Sequence, residues 1–575
     1  MSETRERQLA RVEQINWDVI VIGGGINGAG IARDAALRGL RTLVVERGDW
    51  GGGTTSWSTR LIHGGLRYLE YAEIPLVRES LREREILLRI APHLVEPLAF
   101  VLPVYAGNNF HAIPILRGLR YSLPDMYLAM LGYDILSFDK SLPRYKLYSS
   151  ARLREVEPGL SPSGLRGGAI YYDGQVTYPE RLCLESVLDA VAHGAVALNY
   201  VAAGELQHSD GQVRGVELHD TLCGTSVTAR GSTIINCAGP WVDQALGELG
   251  VTTKRQIGGT KGSHIIVRPF PGAPRRALYI AARDDRRQFF IVPWQGLYLI
   301  GTTDTHFEGD LGEVRATADE VAYLLRSTNH TIPDANLSAD DVLYTYSGVR
   351  PLPYVHAGEA GGITRRHILY DHGRHDGVYG LFSIIGGKIT TYRSLAEHAV
   401  DAVCRRLGVR VRSRTATTPL PGAAWDNPEA IVRAHGRNLE QRYGLDTATI
   451  EQLAQIYGSQ SATLLALTDE QPELRRRLPT EQPLIGAQLV YAIQHEQARS
   501  LTDVLFRRTM SAYRAGRGLE IADAAAAILG SRFGWSAERI DQEVKQYHAT
   551  VERLLPQPHH EAVLLEATER SLVGL

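Results

Sequence analysis

Residues 18–23, DVIVIG, carry the apolar run VIVI, the pattern of a short strand buried on both faces. The chain then turns through Gly23, Gly24 and Gly25. Over Asn27–Arg38 small residues line one side, which predicts a helix, and Gly39 follows where a helix commonly ends. A second apolar run, TLVVE, closes on Glu46. Further along, HIIVR, RRQFFIVPW and LYLIGTTD alternate in polarity and predict antiparallel strands. At Thr417 the pattern breaks into TTPLPGAAWDNP, whose prolines and glycines predict a linker. Beyond it, PEAIVRAHGRNLEQRYG, ATIEQLAQIYG, PLIGAQLVYAIQHEQ, ADAAAAILGSRFG and AERIDQEVKQYHATVERLL are rich in helix formers.

The predicted organisation is a polar lead-in (1–16), a strand-and-helix region with two interleaved sheets (17–415), a linker (416–428), an α-helical C-terminal domain (429–555) and a weakly structured tail (556–575). A chain of 575 residues suits more than one core.

The first turn carries chemistry. Strand, GxGxxG, helix, strand and acid stand in register. Gly23 permits the tight turn, Gly25 admits a pyrophosphate to the backbone, and Gly28 lets helix and strand pack closely. The diphosphate then meets free N–H groups at the helix N-terminus. Glu46, about 20 residues on, is placed to accept ribose hydroxyls. This fingerprint predicts a bound dinucleotide and does not by itself separate FAD from NAD; no second fingerprint follows.

Composition narrows the classes. The 62 basic and 64 acidic residues nearly cancel, which gives no support for nucleic-acid binding. Any bound anion therefore needs a local pocket. Cys183, Cys223, Cys237 and Cys404 are far apart, without a CxxC pair, so neither a zinc nor an iron–sulfur signature exists and a reducing compartment is expected. The first residues lack the apolar stretch of a secretory signal, and no run reaches the roughly 18 apolar residues of a spanning helix.

After the second strand comes GGGTTSWSTRLIHGGLRYLE, residues 51–70. This segment resembles the FAD-dependent glycerol-3-phosphate dehydrogenases of the respiratory type, in which it wraps the flavin; Arg60 stands where the family usually has lysine. NCAGPW (236–241), TKGSH (260–264), PW (293–294), GTTD (301–304), YSGVRP (346–351), ITR (363–365) and GGKITTY (386–392) follow in the family's order. The resemblance implies an α/β fold, with a Rossmann-like FAD-binding sheet interleaved with a largely antiparallel substrate sheet, plus the helical C-terminal domain.

It also implies oxidation of sn-glycerol 3-phosphate to dihydroxyacetone phosphate by hydride transfer from C2 to FAD N5, with electrons passed to membrane quinone. Gly23, Gly24, Gly25, Asn27, Gly28, Glu46, Thr55, Ser56, Gly64, Gly239, Gly387 and Lys388 are the expected cofactor contacts. A buried phosphate dianion needs several charged donors, and Arg67, Arg350, Arg365 and Lys388, with Tyr68, Thr390 and Thr391, are the expected clamp. A base must take the hydroxyl proton. His264 of KGSH is the first choice and His63 of IHGG the second, with Arg350 steadying the developing alkoxide. Residues 173–181, DGQVTYPER, lack the aspartate pair of many relatives, so no catalytic role is assigned there.

Ala112–Phe138 combines Ile113, Ile115, Leu116, Leu119, Tyr121 and Leu123 with Arg117 and Arg120. An apolar face flanked by arginines suits a bilayer's headgroup boundary, though such a face also suits a core. Together with the monotopic character of the relatives, this predicts a peripheral site on the inner face of the cytoplasmic membrane. Oligomeric state stays open, a homodimer included. The competing functions are an oxygen-dependent glycerol-3-phosphate oxidase, a flavin amine or amino-acid oxidase, and a flavoprotein that binds FAD without catalysis.

Overall fold

The computed structural model describes residues 5–71, 73–106, 123–285, 287–355, 365–424 and 427–556. Its first apolar run is the strand Val19–Ile22, buried throughout. It lies within a six-stranded sheet in the order Ile368–Asp371, Leu381–Ile385, Ile234–Asn236, Val19–Ile22, Thr42–Glu46, Val196–Asn199. All neighbours are parallel except the edge strand Ile368–Asp371. Parallel strands need cover, and the helix Ile26–Leu37 provides it, packed against the helices Pro179–Ala192 and Tyr392–Leu407. Its small residues permit those close approaches; a side chain at Gly30 would strike the Tyr392 ring.

The alternating segments enter a ten-stranded, mostly antiparallel sheet. There the strand Thr260–Val267 pairs with Leu297–Gly301 along one edge and Val342–Arg350 along the other. A third sheet, in the order Asn16–Trp17, Ser226–Gly231, Gln212–Asp220, Val201–Ser209, is an addition to the two sheets expected.

The polar lead-in is in part structured. Arg5–Gln14 is a helix that buries Leu9 and Val12, and Arg5 pairs with the buried Asp220. The linker is also packed rather than free: Leu420 is buried, and Arg33 donates to the Thr418 carbonyl at 2.7 Å. All five C-terminal segments contain helices, at Pro428–Tyr443, Thr447–Tyr457, Gly486–Gln494, Ala522–Phe533 and Ala537–Glu552; Ser461–Glu470 is a further one. One hydrophobic core runs from Tyr171, Trp294 and Tyr344 of the antiparallel sheet into Tyr457, Leu489 and Tyr513. The helical domain thereby packs on the sheet face that carries Ile266, Tyr344 and Tyr346. The tail from 557 lies outside the described residues.

Of the 112–138 segment, residues 112–122 also lie outside them. The remainder forms the helix Leu123–Leu136, which buries Met126 and Met130 and exposes Tyr127, Leu128, Leu131 and Ile135. Among the described residues no helix is long and apolar enough to cross a membrane.

Candidate active site

The glycine turn opens on a cavity of about 700 Å³. Gly23 adopts φ +106°, a region open to glycine, and a Cβ on Gly28 would collide with the Gly23 carbonyl oxygen. The Glu46 carboxylate accepts the N–H groups of Gly24 at 2.6 Å and Gly48 at 2.8 Å, fixing the turn. Thr55 Oγ1 accepts the Ile26 N–H at 3.0 Å at the start of the helix.

Gly23, Gly25, Asn27, Glu46, Thr55, Gly239, Gly387 and Lys388 all line the cavity. Gly24, Gly28, Ser56 and Gly64 do not. Gly24 packs under Trp50, Ser56 donates to the Gly51 carbonyl at 2.8 Å, and Gly64 packs on Leu81 and Tyr133, so these four shape the wall from behind. The residues present fit FAD: the helix N-terminus faces the cavity, and the buried Asn27 Oδ1 on its wall has no hydrogen-bond partner.

The cavity continues past Thr54, Ser58, Pro351, Gly387, Lys388 and Ile389 into a second space floored by the antiparallel sheet. Side chains two apart on a strand share a face, so Thr260, Gly262 and His264 point one way. Register places Arg350, Gly348 and Tyr346 opposite them. The two glycines of KGSH and SGVRP make room on this face. The Arg350 guanidinium lies over Gly262 and the Trp57 backbone over Gly348. Lys261 of KGSH points to the other face and pairs with Glu320 at 2.8 Å, a structural bond.

Six of the expected side chains gather here: His63, His264, Tyr68, Arg350, Arg365 and Lys388, with Thr390 beside them. Thr390 Oγ1 accepts the His63 N–H at 3.2 Å. Thr391 is buried at the start of the following helix and lines none of the cavities described, so it does not join the clamp. The Arg67 side chain lies outside the described residues. Lys388 Nζ donates to Ser80 Oγ at 2.7 Å and sits 4.3 Å from the Tyr68 ring centre. His264 is 2% exposed, and its Nε2 bonds Thr59 Oγ1 at 2.9 Å.

The electrostatics follow from enclosure. Desolvation pushes His264 down to about 3, with Arg350 and Arg60 adding to it. His63 falls to about 3 by desolvation, Lys388 and Arg365. Both imidazoles are therefore neutral near pH 7, and each holds a proton only where a nearby anion offsets the burial and the cations. Lys388 drops to about 7 through desolvation, with Glu79 opposing and Arg365 adding.

Several contributors were not legible in sequence. Arg60 forms a two-pronged pair with Glu180, at 2.9 and 2.8 Å, between the rings of Trp294 and Tyr513. That geometry requires a planar fork and accounts for arginine here. Asp173 is buried on Arg84 and Tyr133, beneath the Gly64 N–H. Arg507 reaches the first cavity from the helical domain, bound to Asp49. Asp304 and Arg287 stand in an outer cavity with Arg350 and Arg365.

Residues 18–402 match the family model described as FAD dependent oxidoreductase, and residues 413–540 match the C-terminal domain of alpha-glycerophosphate oxidase. A Synechocystis glycerol-3-phosphate dehydrogenase is 45% identical over 95% of this chain and 98% of its own length. That of Mycobacterium leprae is 34% identical over 93% and 88%. The crystal structure of the Bacillus halodurans glycerol-3-phosphate dehydrogenase complexed with FAD superposes with a TM-score of 0.76, at 28% identity, covering 96% of this chain and 97% of that one. With that agreement over nearly its whole length, the chain belongs to the family of FAD-dependent glycerol-3-phosphate dehydrogenases.

Proposed function

We propose that this protein oxidises sn-glycerol 3-phosphate to dihydroxyacetone phosphate and passes the electrons to a membrane quinone. One observation carries the reading: Arg350, Arg365 and Lys388 meet two neutral histidines in a space continuous with the glycine-turn cavity. Bound FAD supplies the two-electron acceptor. The chain's own groups do the rest. Arg350 and Arg365 hold the phosphate, whose charge offsets the repulsion between them, and Tyr68 and Lys388 close on the polyol. His264 takes the proton from the C2 hydroxyl, and His63 is the second candidate. Neutrality leaves the imidazole free for that proton, and a phosphate dianion nearby strengthens its hold on it.

The exposed stripe of Tyr127, Leu128, Leu131 and Ile135, with Phe138 78% exposed just beyond, supports a bilayer contact that brings quinone within reach. The acceptor is tested on the reduced protein with lipid vesicles present. Fast reoxidation by a quinone and slow reoxidation by oxygen are expected. The reverse order makes the protein an oxidase.

Lys388 sets a second expectation. A phosphate monoester becomes a dianion above about pH 6, whereas Lys388 loses its charge as pH rises through about 7. The value of kcat/KM should thus rise through the first and fall through the second. The histidines, neutral well below this range, contribute neither limb. Lys388→Arg keeps its charge and should abolish the alkaline fall. An unchanged alkaline limb in that variant assigns the titration to another group.

A further inference from the structure

The antiparallel sheet brings a carboxylate into the cation cluster. The Asp304 side chain is 4% exposed, and its Oδ1 accepts from Arg350 at 3.0 Å. Arg365 and Arg287 each stand 3.6 Å from Oδ2, which accepts no hydrogen bond. All four side chains line the outer cavity, together with His63 and Tyr68. Arg350 and Arg365 also line the space next to His264 and Lys388, so the same two guanidiniums face both compartments. The three cations outweigh the burial and keep Asp304 below the usual carboxylate range, hence ionised.

A fixed anion inside an anion clamp has two consequences. It holds the guanidiniums in place against their mutual repulsion, and it competes with whatever anion they are meant to bind. The geometry favours the second as the functional one. Of the contacts to the carboxylate only that of Arg350 has hydrogen-bond length; Arg287 donates to the Asp304 main-chain carbonyl, and Oδ2 sits loosely between Arg365 and Arg287, free to transfer its weight to the latter.

We propose that Asp304 is a built-in competitor for the phosphate clamp: it occupies Arg350 and Arg365 in the empty site, yields them to the substrate's phosphate, and remains paired with Arg287. This rests on the reading of the clamp as a phosphate site. Its role is to keep phosphate binding weak enough for the phosphorylated product to leave.

The test uses the FAD-loaded full chain, with inorganic phosphate as the probe and flavin absorbance as the readout. Asp304→Asn keeps the side-chain shape and removes the charge. Phosphate should bind it about tenfold more tightly, the repulsion that one carboxylate about 5 Å away exerts on a dianion even at the dielectric of water. Inhibition by dihydroxyacetone phosphate should strengthen in parallel. Equal or weaker phosphate binding makes Asp304 a brace and overturns the proposal.

Arg287→Gln, at the cavity rim, is the second arm and remains readable if Asp304→Asn fails to hold FAD. It removes the cation that keeps the carboxylate once phosphate is bound, so phosphate should bind more weakly, and where Asp304→Asn holds FAD, adding it should cancel that loss. Unchanged or tighter binding in Arg287→Gln, or an uncancelled loss, also overturns it. Because phosphate binding is followed without turnover, these results are independent of substrate oxidation. Failure of glycerol 3-phosphate to reduce the flavin would sink the functional reading separately.

Discussion

Replacing His264 by alanine is expected to lower kcat by about 10²–10⁴-fold, the usual contribution of a positioned general base, with a much smaller change in KM. The expectation rests on placement. His264 lies on the sheet face shared with Arg350 and is buried against the Tyr346 ring at 4.8 Å between centres. Its partner Thr59 is a hydroxyl that can donate to or accept from it. Nothing acidic among its described contacts would hold it protonated, and burial beside Arg350 keeps it neutral. His63 is neutral for the same reason, but its backbone is tied to Thr390 and its ring meets Phe290 edge-on at 6.1 Å. Steady-state kinetics on both variants separate the roles. Wild-type turnover in His264→Ala with only a raised KM would transfer the base to His63 or to solvent.

The second large effect lies far from the reacting atoms. Asp49 is fully buried and accepts two hydrogen bonds from Arg508, at 2.7 and 2.8 Å, and another from Arg507. Next to it, Trp50 packs on Gly24 of the cofactor turn and donates to Gln497 at 2.9 Å. The helical domain thus grips the loop that shapes the FAD cavity.

Removing one partner of a buried ion pair costs about 3–5 kcal/mol, because the remaining charge stays buried and uncompensated. Asp49→Ala should therefore unfold at markedly lower urea and release FAD in the same transition, as followed by flavin fluorescence. Arg508→Ala should do the same. Their losses should fall short of additive in the double variant, since one interaction is counted in both. FAD release at the wild-type urea concentration would show that the domain merely abuts the cofactor loop.

What could be read from sequence was whatever depends on neighbours in the chain. The glycine turn is local: strand, turn and helix follow one another within residues 19–37, and each glycine has its own steric reason. Arg350 and His264 were legible as motifs, and strand periodicity then explains why two segments about 90 residues apart present them to one face. The Asp49–Arg508 pair joins residues 459 positions apart and has no local signature. Asp304 was read only as the last letter of GTTD, since its meaning comes from arginines on three other segments. Thr391, Ser56 and Gly64 sit inside motifs whose neighbours do the lining, and a motif does not say which of its side chains points inward. The lead-in helix escaped notice because only Leu9 and Val12 bury apolar surface in a charged decapeptide.

In the proposed active site the cations and neutral histidines act with the flavin on a phosphorylated secondary alcohol. The most direct test is anaerobic mixing of the FAD-loaded protein with sn-glycerol 3-phosphate while flavin absorbance is followed. Full bleaching is expected with that substrate, and none with glycerol, which lacks the phosphate. Bleaching by an amino acid, with glycerol 3-phosphate inert, would contradict the account.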